Sequence, residues 1–529
     1  MRIALLLAAC FGSMMLHAQT PNVSVRTIPN YNGWGWSAVV MQNGFITFAA
    51  VPAIGGRVMQ YDLGTLSSVY TYPAELGKTY TPAPNGQWHN FGGFKTWPAP
   101  QSRWPNSWPP PPVLDYGSYA FEIDSLSPPA DTSAVTVSSQ AEKWIAPRIR
   151  FQRRAAVFGG TSRIKMDQTI INDSNAAQSW SVWGVTQAIV NHPGQRDYEN
   201  FWVYFPINPN SVFGPGGVSP DGQSKAWKGE VAPGVYGVQF SPDGRKIYGD
   251  PHKGWIAYVN QSDTVVFAKT FDIVHGAQYP DGGSRVAVYV SGSVAPIYLE
   301  VEIKSPTVQL AANGGTYSFT ENWWAARASG PILDVDSVGA VTGRLSYNAA
   351  SRSLSALYGV FYKGTARVAF LDAGGQLLAE GQPHAVSPLS VFRLEDTVAI
   401  PGGAARAEVR IYDEPGGFRG ILDTADVYRL ISAVGTHSPA VPPGYSLAPG
   451  YPNPFNGGTV LTVSCTGPAQ GVLRIYDMLG REVALLKSGT FEAGEHRYTW
   501  NPGKIASGLY LASLEIGGTR QVQRLVYVR

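Results

Sequence analysis

The densest group of side chains that could bind a ligand lies between residues 88 and 112. This stretch contains many prolines, four tryptophans, and polar or cationic side chains between them: Trp88, His89, Lys95, Trp97, Arg103, Trp104 and Trp108. Flat aromatic faces beside polar donors suit the C–H faces and the hydroxyls of a saccharide ring. Prolines reduce the entropy that a loop loses on binding. The stretch therefore predicts a saccharide-binding loop, with Trp88, His89, Lys95, Trp97 and Trp104 as its ligand-binding residues.

A second interpretation of the same stretch is purely structural. Proline and tryptophan could pack into a flap that seals one end of a β-sandwich without contacting any ligand. The distribution of tryptophan places either role in the first large part of the chain, because every tryptophan except Trp500 lies at or before Trp324.

Acid–base catalysis would require a carboxylate and a histidine that meet in one pocket. The candidate carboxylates are Glu300 and Glu302, which alternate with apolar residues along one predicted strand. Alternating charges on one face of a strand usually indicate solvent, so we expect both side chains to be hydrated. The candidate histidines are His192, in a loop after a strand, and His275, just before a turn. The sequence does not bring either histidine to a glutamate.

The elements that must position these residues are β-strands, which follow one another from residue 22 to residue 328. Segments Arg148–Phe158 and Ser162–Asn172, joined at Gly159-Gly160, predict an antiparallel pair, because apolar and polar residues alternate along them. Similar short apolar runs recur over the whole region. So many strands in one unit predict a large two-sheet sandwich.

Several short motifs in this region occur in a recognisable order: Pro52–Arg57, Gly92–Pro100, Trp108–Pro112, Tyr279–Gly283 and Tyr298–Glu302. Their order resembles a bacterial branch of the galactose-mutarotase-like superfamily, over about residues 31–324. The resemblance implies a supersandwich fold that handles carbohydrates, with a glutamate base, a histidine acid and a nearby arginine. Arg57 ends the first motif and joins the ligand-binding candidates. The paired histidines of the family have no counterpart in this sequence.

Two further regions follow the large sandwich. Residues 330–434 predict a small, immunoglobulin-like β-sandwich with no tryptophan and one histidine, His384. We expect it to be a spacer or a second binding module. Residues 435–445 contain three prolines and predict a semi-rigid linker.

The last segment, residues 446–529, predicts a third small β-sandwich. Pro452 and Pro454 fix an extended entry, and short apolar runs separated by turn residues follow. The motif Tyr451–Asn456 and the closing Arg524–Arg529 resemble the C-terminal sorting domain of the type IX secretion system of Bacteroidetes-type bacteria. The resemblance implies export across the outer membrane, with the secretion machinery as a partner. The alternative is an immunoglobulin-like domain with no sorting role.

The amino terminus, residues 1–18, has the pattern of a secretory signal peptide. The competing interpretation is a lipoprotein in which Cys10 carries the lipid. Either route leads through the periplasm to a secreted or outer-membrane surface location. Without Cys10, Cys465 stands alone, so no internal disulfide can form. No other stretch has the roughly 18 apolar residues of a transmembrane span.

Composition excludes several classes of function. Lys plus Arg is 40 and Asp plus Glu is 37, so no charge bias favours nucleic acid or an anionic membrane. Phosphate-loop, dinucleotide and zinc-helix motifs are missing from the sequence, and we expect no cofactor and no metal. Turns such as Asp221-Gly222, Asp243-Gly244 and Asp281-Gly282 resemble those of propeller blades, but their unequal spacing favours ordinary turns.

These observations predict an all-β protein: a large galactose-mutarotase-like supersandwich (residues 22–328) followed by two small immunoglobulin-like β-sandwiches. The first functional hypothesis is a secreted or cell-surface protein that binds carbohydrate. One alternative is a sugar epimerase or a glycan-cleaving enzyme on the same scaffold. The other is a non-catalytic structural protein of the cell surface.

Overall fold

The structure, a computed structural model, describes residues 23–84, 86–126, 131–192, 197–432, 445–448, 450–465, 467–477, 481–503, 505–516 and 519–529. The chain divides into two compact units, Met1–Ser432 and Ala433–Arg529. The predicted signal peptide, Cys10 and the predicted linker apart from Tyr445 lie outside the described residues.

The first unit begins with a large sandwich of two antiparallel sheets. Within the described ranges its strands are β1 (Ser24–Ile28), β2 (Ala38–Gln42), β3 (Ile46–Val51), β4 (Arg57–Leu63), β5 (Leu66–Ser67), β6 (Phe94–Ala99), β7 (Ala120–Leu126), β8 (Thr132–Ser138), β9 (Ile149–Phe158), β10 (Ile164–Asn172), β11 (Gln178–Ala188), β12 (Phe201–Pro206), β13 (Val218–Pro220), β14 (Trp227–Ala232), β15 (Val235–Gln239), β16 (Asp243–Gly249), β17 (Trp255–Asn260), β18 (Val265–Phe271), β19 (Val286–Gly292), β20 (Leu299–Lys304), β21 (Val308–Leu310) and β22 (Gly315–Arg327).

The strand order separates these elements into a twelve-stranded and a ten-stranded sheet. The first has the order β1-β2-β3-β4-β6-β11-β20-β19-β16-β13, with β5 on β4 and β21 on β11. The second has the order β14-β15-β12-β17-β18-β22-β10-β9-β8-β7. The predicted two-sheet sandwich is therefore confirmed, and the strand order is not that of propeller blades.

Aromatic side chains from both sheets fill the space between them. Tyr61 of β4 lies 5.2 Å from Phe267 of β18 and 5.7 Å from Trp323 of β22, measured between ring centroids. All three side chains are fully buried, and burial of rings of this size contributes about 2–3 kcal/mol each. The predicted pairing around Gly159-Gly160 is also confirmed, because Ile164 of β10 pairs with Val157 of β9.

Helices are short in the part of the chain that the structure describes. The α-helices are α1 (Pro112–Tyr116) and α2 (Val427–Ser432), and 3-10 turns cover Tyr31–Gly33, Pro52–Ile54, Pro73–Glu75, Gln101–Arg103, Pro105–Ser107 and Tyr198–Asn200. None of these described helices has the length and apolar character that would carry it across a membrane.

A small sandwich completes the first unit. Its described strands are β23 (Asp334–Val335), β24 (Gly339–Asn348), β25 (Ser353–Val360), β26 (Gly364–Leu371), β27 (Leu377–Glu380), β28 (His384–Val386), β29 (Val391–Thr397), β30 (Arg406–Asp413) and β31 (Phe418–Asp426). They form the sheets β23-β24-β25-β29 and β27-β26-β30-β31, with β28 on β26. Phe361 stacks on Trp324 of the large sandwich at 5.1 Å, so the two sandwiches pack directly against each other.

The second unit is another two-sheet sandwich. Its described strands are β32 (Tyr445–Leu447), β33 (Thr459–Cys465), β34 (Ala469–Asp477), β35 (Glu482–Phe491), β36 (Gly494–Trp500), β37 (Gly508–Ile516) and β38 (Thr519–Tyr527), in the orders β32-β33-β36 and β35-β34-β37-β38. Phe455 of the proline-rich entry is buried between Trp500 and Tyr527, with ring distances of 5.6 Å and 5.3 Å. Asn453 exchanges hydrogen bonds with the backbone of β38. The entry motif is thus tied to the last strand, and Cys465 is buried in the core.

Candidate functional site

The face of the twelve-stranded sheet that points away from the ten-stranded sheet carries charged side chains that are nevertheless buried. The apolar residues of β20 join the hydrophobic core, and Glu300 and Glu302 alternate with them. Their exposed fractions are 8% and 0%. The expectation that both glutamates are hydrated is therefore wrong. Chain outside the sheet covers the Glu302 end of this face: Trp104, which follows β6, stacks at 5.9 Å on Trp183 of β11, whose Nε1 donates to Glu302.

Strand register places residues from six strands on this surface. Glu300 pairs with Gln187 on one side and with Tyr289 on the other, and Val185 of β11 pairs with both Lys95 and Glu302. We call this surface the polar sheet face. Its charged and polar members are Arg57, Lys95, Gln187, Lys246, Glu300, Glu302 and Lys304.

Glu300 lies at the centre of one hydrogen-bond group. Lys95 Nζ lies 2.8 Å from its Oε1 atom, and Gln187 Nε2 donates to the same oxygen at 3.1 Å. Burial acts to raise the pKa of Glu300, but the charges of Lys95 and Lys246 outweigh it and hold the pKa below its ordinary value. Glu300 is therefore a fixed, ionised acceptor at neutral pH.

Glu302 belongs to a neighbouring group. Its Oε2 atom accepts from Trp183 Nε1 at 2.9 Å and pairs with Lys246 Nζ at 2.9 Å. Lys304, next on the same face, pairs with Asp281 at 2.6 Å, and Asp281 belongs to the Tyr279–Gly283 motif. These lysines therefore carry no unpaired charge. Two buried acceptors on this face have no partner within the described residues, namely Glu302 Oε1 and Gln187 Oε1.

Arg57 is held in a buried ion pair. Its Nη2 atom lies 2.6 Å from Asp115 Oδ1, and its Nη1 atom donates to the carbonyl of Gly92 at 3.0 Å. Trp97 Nε1 donates to the same Asp115 oxygen at 2.9 Å. Gly55 makes this geometry attainable, because its φ is +78° and a Cβ there would collide with the carbonyl oxygen of Asp115. Arg57 thus anchors α1 to the sheet.

The tryptophans form a continuous cluster that runs from the interior to the surface. Trp97 contacts Trp104 at 5.6 Å and Trp183 at 5.2 Å, and Trp97 and Trp104 are each 2% exposed. Trp108 is 43% exposed and contacts Trp88 at 5.1 Å. The prediction of one ligand-binding loop is wrong in part, because Lys95 and Trp97 belong to strand β6 inside the sheet. The outer end of the cluster, Trp88 and Trp108, is the part that reaches solvent.

His89 lies beside this cluster. Its ring stacks on Tyr80 at 3.4 Å and meets the edge of Tyr116 at 5.3 Å. Burial lowers the pKa of His89, with opposing contributions from Glu75 and Asp115. The imidazole is therefore a neutral aromatic packing element at pH 7.

The candidate catalytic histidines are not part of the polar sheet face. His192 bridges two carboxylates, with Nδ1 2.8 Å from Asp197 and Nε2 2.8 Å from Asp263, so both ring nitrogens are occupied. His275 is exposed. Among the hydrogen bonds and ion pairs of the described residues, neither histidine contacts Glu300 or Glu302. Within the described residues, the candidate glutamates and the candidate histidines therefore form no acid–base pair, and His192 is paired with two aspartates instead.

A row of tyrosines borders the polar sheet face, and the sequence analysis did not identify it. The rings of Tyr72, Tyr70, Tyr298 and Tyr289 follow one another at centroid distances of 6.5, 5.7 and 6.1 Å. We call these four residues the tyrosine row. Its last two members flank Glu300 directly. The sequence signal was the alternation in Tyr70-Thr71-Tyr72 and Tyr298-Leu299-Glu300, which places tyrosines and glutamate on one face.

The fold and this face define an all-β protein whose largest part is a two-sheet sandwich with a buried ionic surface. Solved structures similar to the chain include a TPR-domain containing protein from Parabacteroides distasonis (11% identity, 60% of this chain and 56% of that chain, TM-score 0.40). Another is a galactose mutarotase-like protein from Clostridium acetobutylicum (11% identity, 58% of this chain and 99% of that chain, TM-score 0.37). A third is a galactose mutarotase-like protein from Lactobacillus casei (10% identity, 54% of this chain and 99% of that chain, TM-score 0.34). At these scores and identities they assign no role to any residue.

The carboxyl-terminal unit has a more specific match. Residues 450–528 match the family model of the secretion system C-terminal sorting domain, which confirms the resemblance noted for this segment. A domain of this kind indicates export, with a location at the cell surface or outside the cell. No curated protein sequence matches the chain.

Proposed function

We propose that this is an exported carbohydrate-binding protein whose ligand lies on the polar sheet face. The observation that carries the proposal is the setting of Glu300. An ionised carboxylate is held by Lys95 and Gln187 directly beside the rings of Tyr289 and Tyr298. Fixed acceptors beside aromatic rings are the groups that hydroxyls and C–H faces of a sugar require.

The charges of the face favour a neutral saccharide. Lys95, Lys246, Lys304 and Arg57 are each paired with a carboxylate at 2.6–2.9 Å. An acidic sugar would have to compete with these carboxylates.

The route out of the cell follows from the two ends of the chain. The amino-terminal segment acts as a signal peptide for passage into the periplasm, and the secretion machinery recognises the carboxyl-terminal sorting domain. The small sandwich of residues 330–434, which lies between the large sandwich and the sorting domain in the sequence, is a spacer or a second binding module.

A glycan array probed with the mature protein tests the binding proposal. Wild type should retain a set of neutral glycans, and Glu300→Gln should lose them while melting cooperatively. Glu395→Gln is the matched control, because Glu395 forms an ion pair with Arg393 on the surface of the small sandwich, where the two side chains are 69% and 64% exposed. This variant should bind glycans like wild type. Absence of any glycan bound by folded wild type would refute the proposal and favour a structural surface protein.

A further inference from the structure

The tyrosine row has the geometry of several consecutive subsites. Its four rings span three successive contacts of 6.5, 5.7 and 6.1 Å. Neighbouring ring planes differ by 22°, 29° and 47°. The four rings therefore form one contiguous aromatic strip that is longer than a single stacking position.

The hydroxyls of the row are without a protein partner in the part of the chain that the structure describes. Tyr70, Tyr72 and Tyr289 are half-buried and Tyr298 is 6% exposed, yet none of their hydroxyls hydrogen-bonds to another residue that the structure describes. A buried tyrosine usually finds such a partner. Burial raises the pKa of Tyr70, Tyr289 and Tyr298, so these phenols remain protonated donors at neutral and mildly alkaline pH.

Backbone contacts hold the outer part of the row in place. Tyr70 N donates to the carbonyl of Gln187 at 2.8 Å, and Gly93 N donates to the carbonyl of Tyr70 at 2.8 Å. Tyr72 N donates to the carbonyl of Phe91 at 3.0 Å. The strip is therefore fixed against the sheet before any ligand arrives, which reduces the entropy lost on binding.

From these observations, and resting on the function proposed above, we propose that the tyrosine row binds a linear chain of several neutral sugar units. A single sugar ring covers one or two of the four tyrosines. A chain that runs from Tyr72 to Tyr289 would place one end beside Glu300 and Gln187, where the hydrogen-bonding acceptors are concentrated. Chain length, rather than the identity of one terminal sugar, then determines affinity.

Calorimetric titration with neutral oligosaccharide ladders tests this. The probes are cello-, xylo- and malto-oligosaccharides of one to six units. For the ladder that binds, wild-type affinity should rise by about 100-fold between one and four units, since each of the three added ring contacts contributes about a fivefold gain, or about 1 kcal/mol. Tyr72→Ala should weaken binding of the six-unit chain by about fivefold, the contribution of one ring contact, and leave binding of the shortest bound member unchanged.

Two further variants make the result interpretable. Tyr72→Phe keeps the ring and should retain the length dependence with a smaller loss. Tyr451→Ala, at a side chain that is 81% exposed in the sorting domain, should behave as wild type. Affinity that does not change with chain length, or an equal loss at all lengths in Tyr72→Ala, would overturn the subsite proposal and leave carbohydrate binding standing. Binding of no glycan on the array would instead overturn the function on which it rests.

Discussion

Lys95 and Glu300 form an ion pair across three strands of the twelve-stranded sheet. Lys95 is on β6 and Glu300 is on β20, and β11 lies between them; the Nζ and Oε1 atoms are 2.8 Å apart. Gln187, on the intervening strand, donates to the same oxygen. The contacts therefore tie the central acceptor of the polar sheet face to β11 and, beyond it, to β6.

Removal of the lysine should destabilise the fold strongly. Lys95→Met leaves the Glu300 carboxylate buried without its cation, and loss of one partner of a buried pair costs about 3–5 kcal/mol. Urea denaturation of the full chain, followed through the unfolding transition of residues 23–432, measures the change in the free energy of unfolding. Lys95→Met with Glu300→Leu, which removes both charges, should recover most of the loss. If Lys95→Met alone were as stable as wild type, the ion pair would contribute no stability.

Substitution of Trp104 should destabilise the protein more than substitution of Trp108, because only Trp104 is packed in the interior. Trp104 is 2% exposed, so Trp104→Ala should lower the free energy of unfolding by about 3–5 kcal/mol. Trp108 is 43% exposed, so Trp108→Ala should change stability by less than about 1 kcal/mol. Thermal and urea unfolding of the two variants compare them. Similar losses in both would mean that Trp108 is as important for packing as Trp104.

Gly55 should tolerate no side chain. Gly55→Ala must adopt a left-handed backbone conformation, costing about 1–2 kcal/mol, and must displace Asp115 from Arg57. We expect a total loss above 2 kcal/mol and weaker glycan binding. Gly160→Ala is the matched control, because its φ is +70° but the space around it is open, so that it reports backbone strain alone. Equal losses at the two positions would contradict a role for the Asp115 contact.

Asp336 should make stability depend on pH. Burial raises its pKa from 3.8 to about 7, although the backbone N–H groups of Val338 and Gly339 donate to it. The folded state thus binds the proton more tightly than the unfolded state, so this contribution to stability is complete below pH 4 and is lost as pH rises towards 7. Asp336→Asn keeps an acceptor for both N–H groups and stays neutral.

Because the pKa of Asp336 is raised in the folded state, wild type and Asp336→Asn should differ in stability only at the higher pH values. Asp336→Asn and wild type should be equally stable near pH 4, and the variant should be more stable by about 2–4 kcal/mol above pH 7. Urea midpoints measured from pH 4 to pH 8 provide the comparison. Parallel pH profiles for the two proteins would show that Asp336 does not titrate in this range.

Sequence periodicity was sufficient to predict the strands, but it did not show whether the polar face of a strand is exposed or buried. The alternation of Ile164, Met166 and Ile170 with polar residues correctly predicted β10. The same alternation at Glu300 and Glu302 led to the wrong environment, because a period of two identifies a face and does not show whether other chain covers it. The covering residue here, Trp104, is about 200 positions away.

The tyrosine row illustrates why the site could not be assembled from the sequence. Tyr72 and Tyr70 are separated from Tyr289 and Tyr298 by more than 200 residues, and only the crossover order of the twelve-stranded sheet brings them together. The tryptophan-rich stretch, by contrast, was visible as local composition. Its composition did not show, however, that two of its four indoles, Trp97 and Trp104, pack in the interior.

A crystal structure of the mature protein with the neutral oligosaccharide that binds it most tightly tests the account most directly. We predict sugar rings along Tyr70 and Tyr298, with a hydroxyl hydrogen-bonded to the Glu300 carboxylate. A glycan bound elsewhere, for example on the small sandwich, with the polar sheet face unchanged and free of sugar, would contradict it.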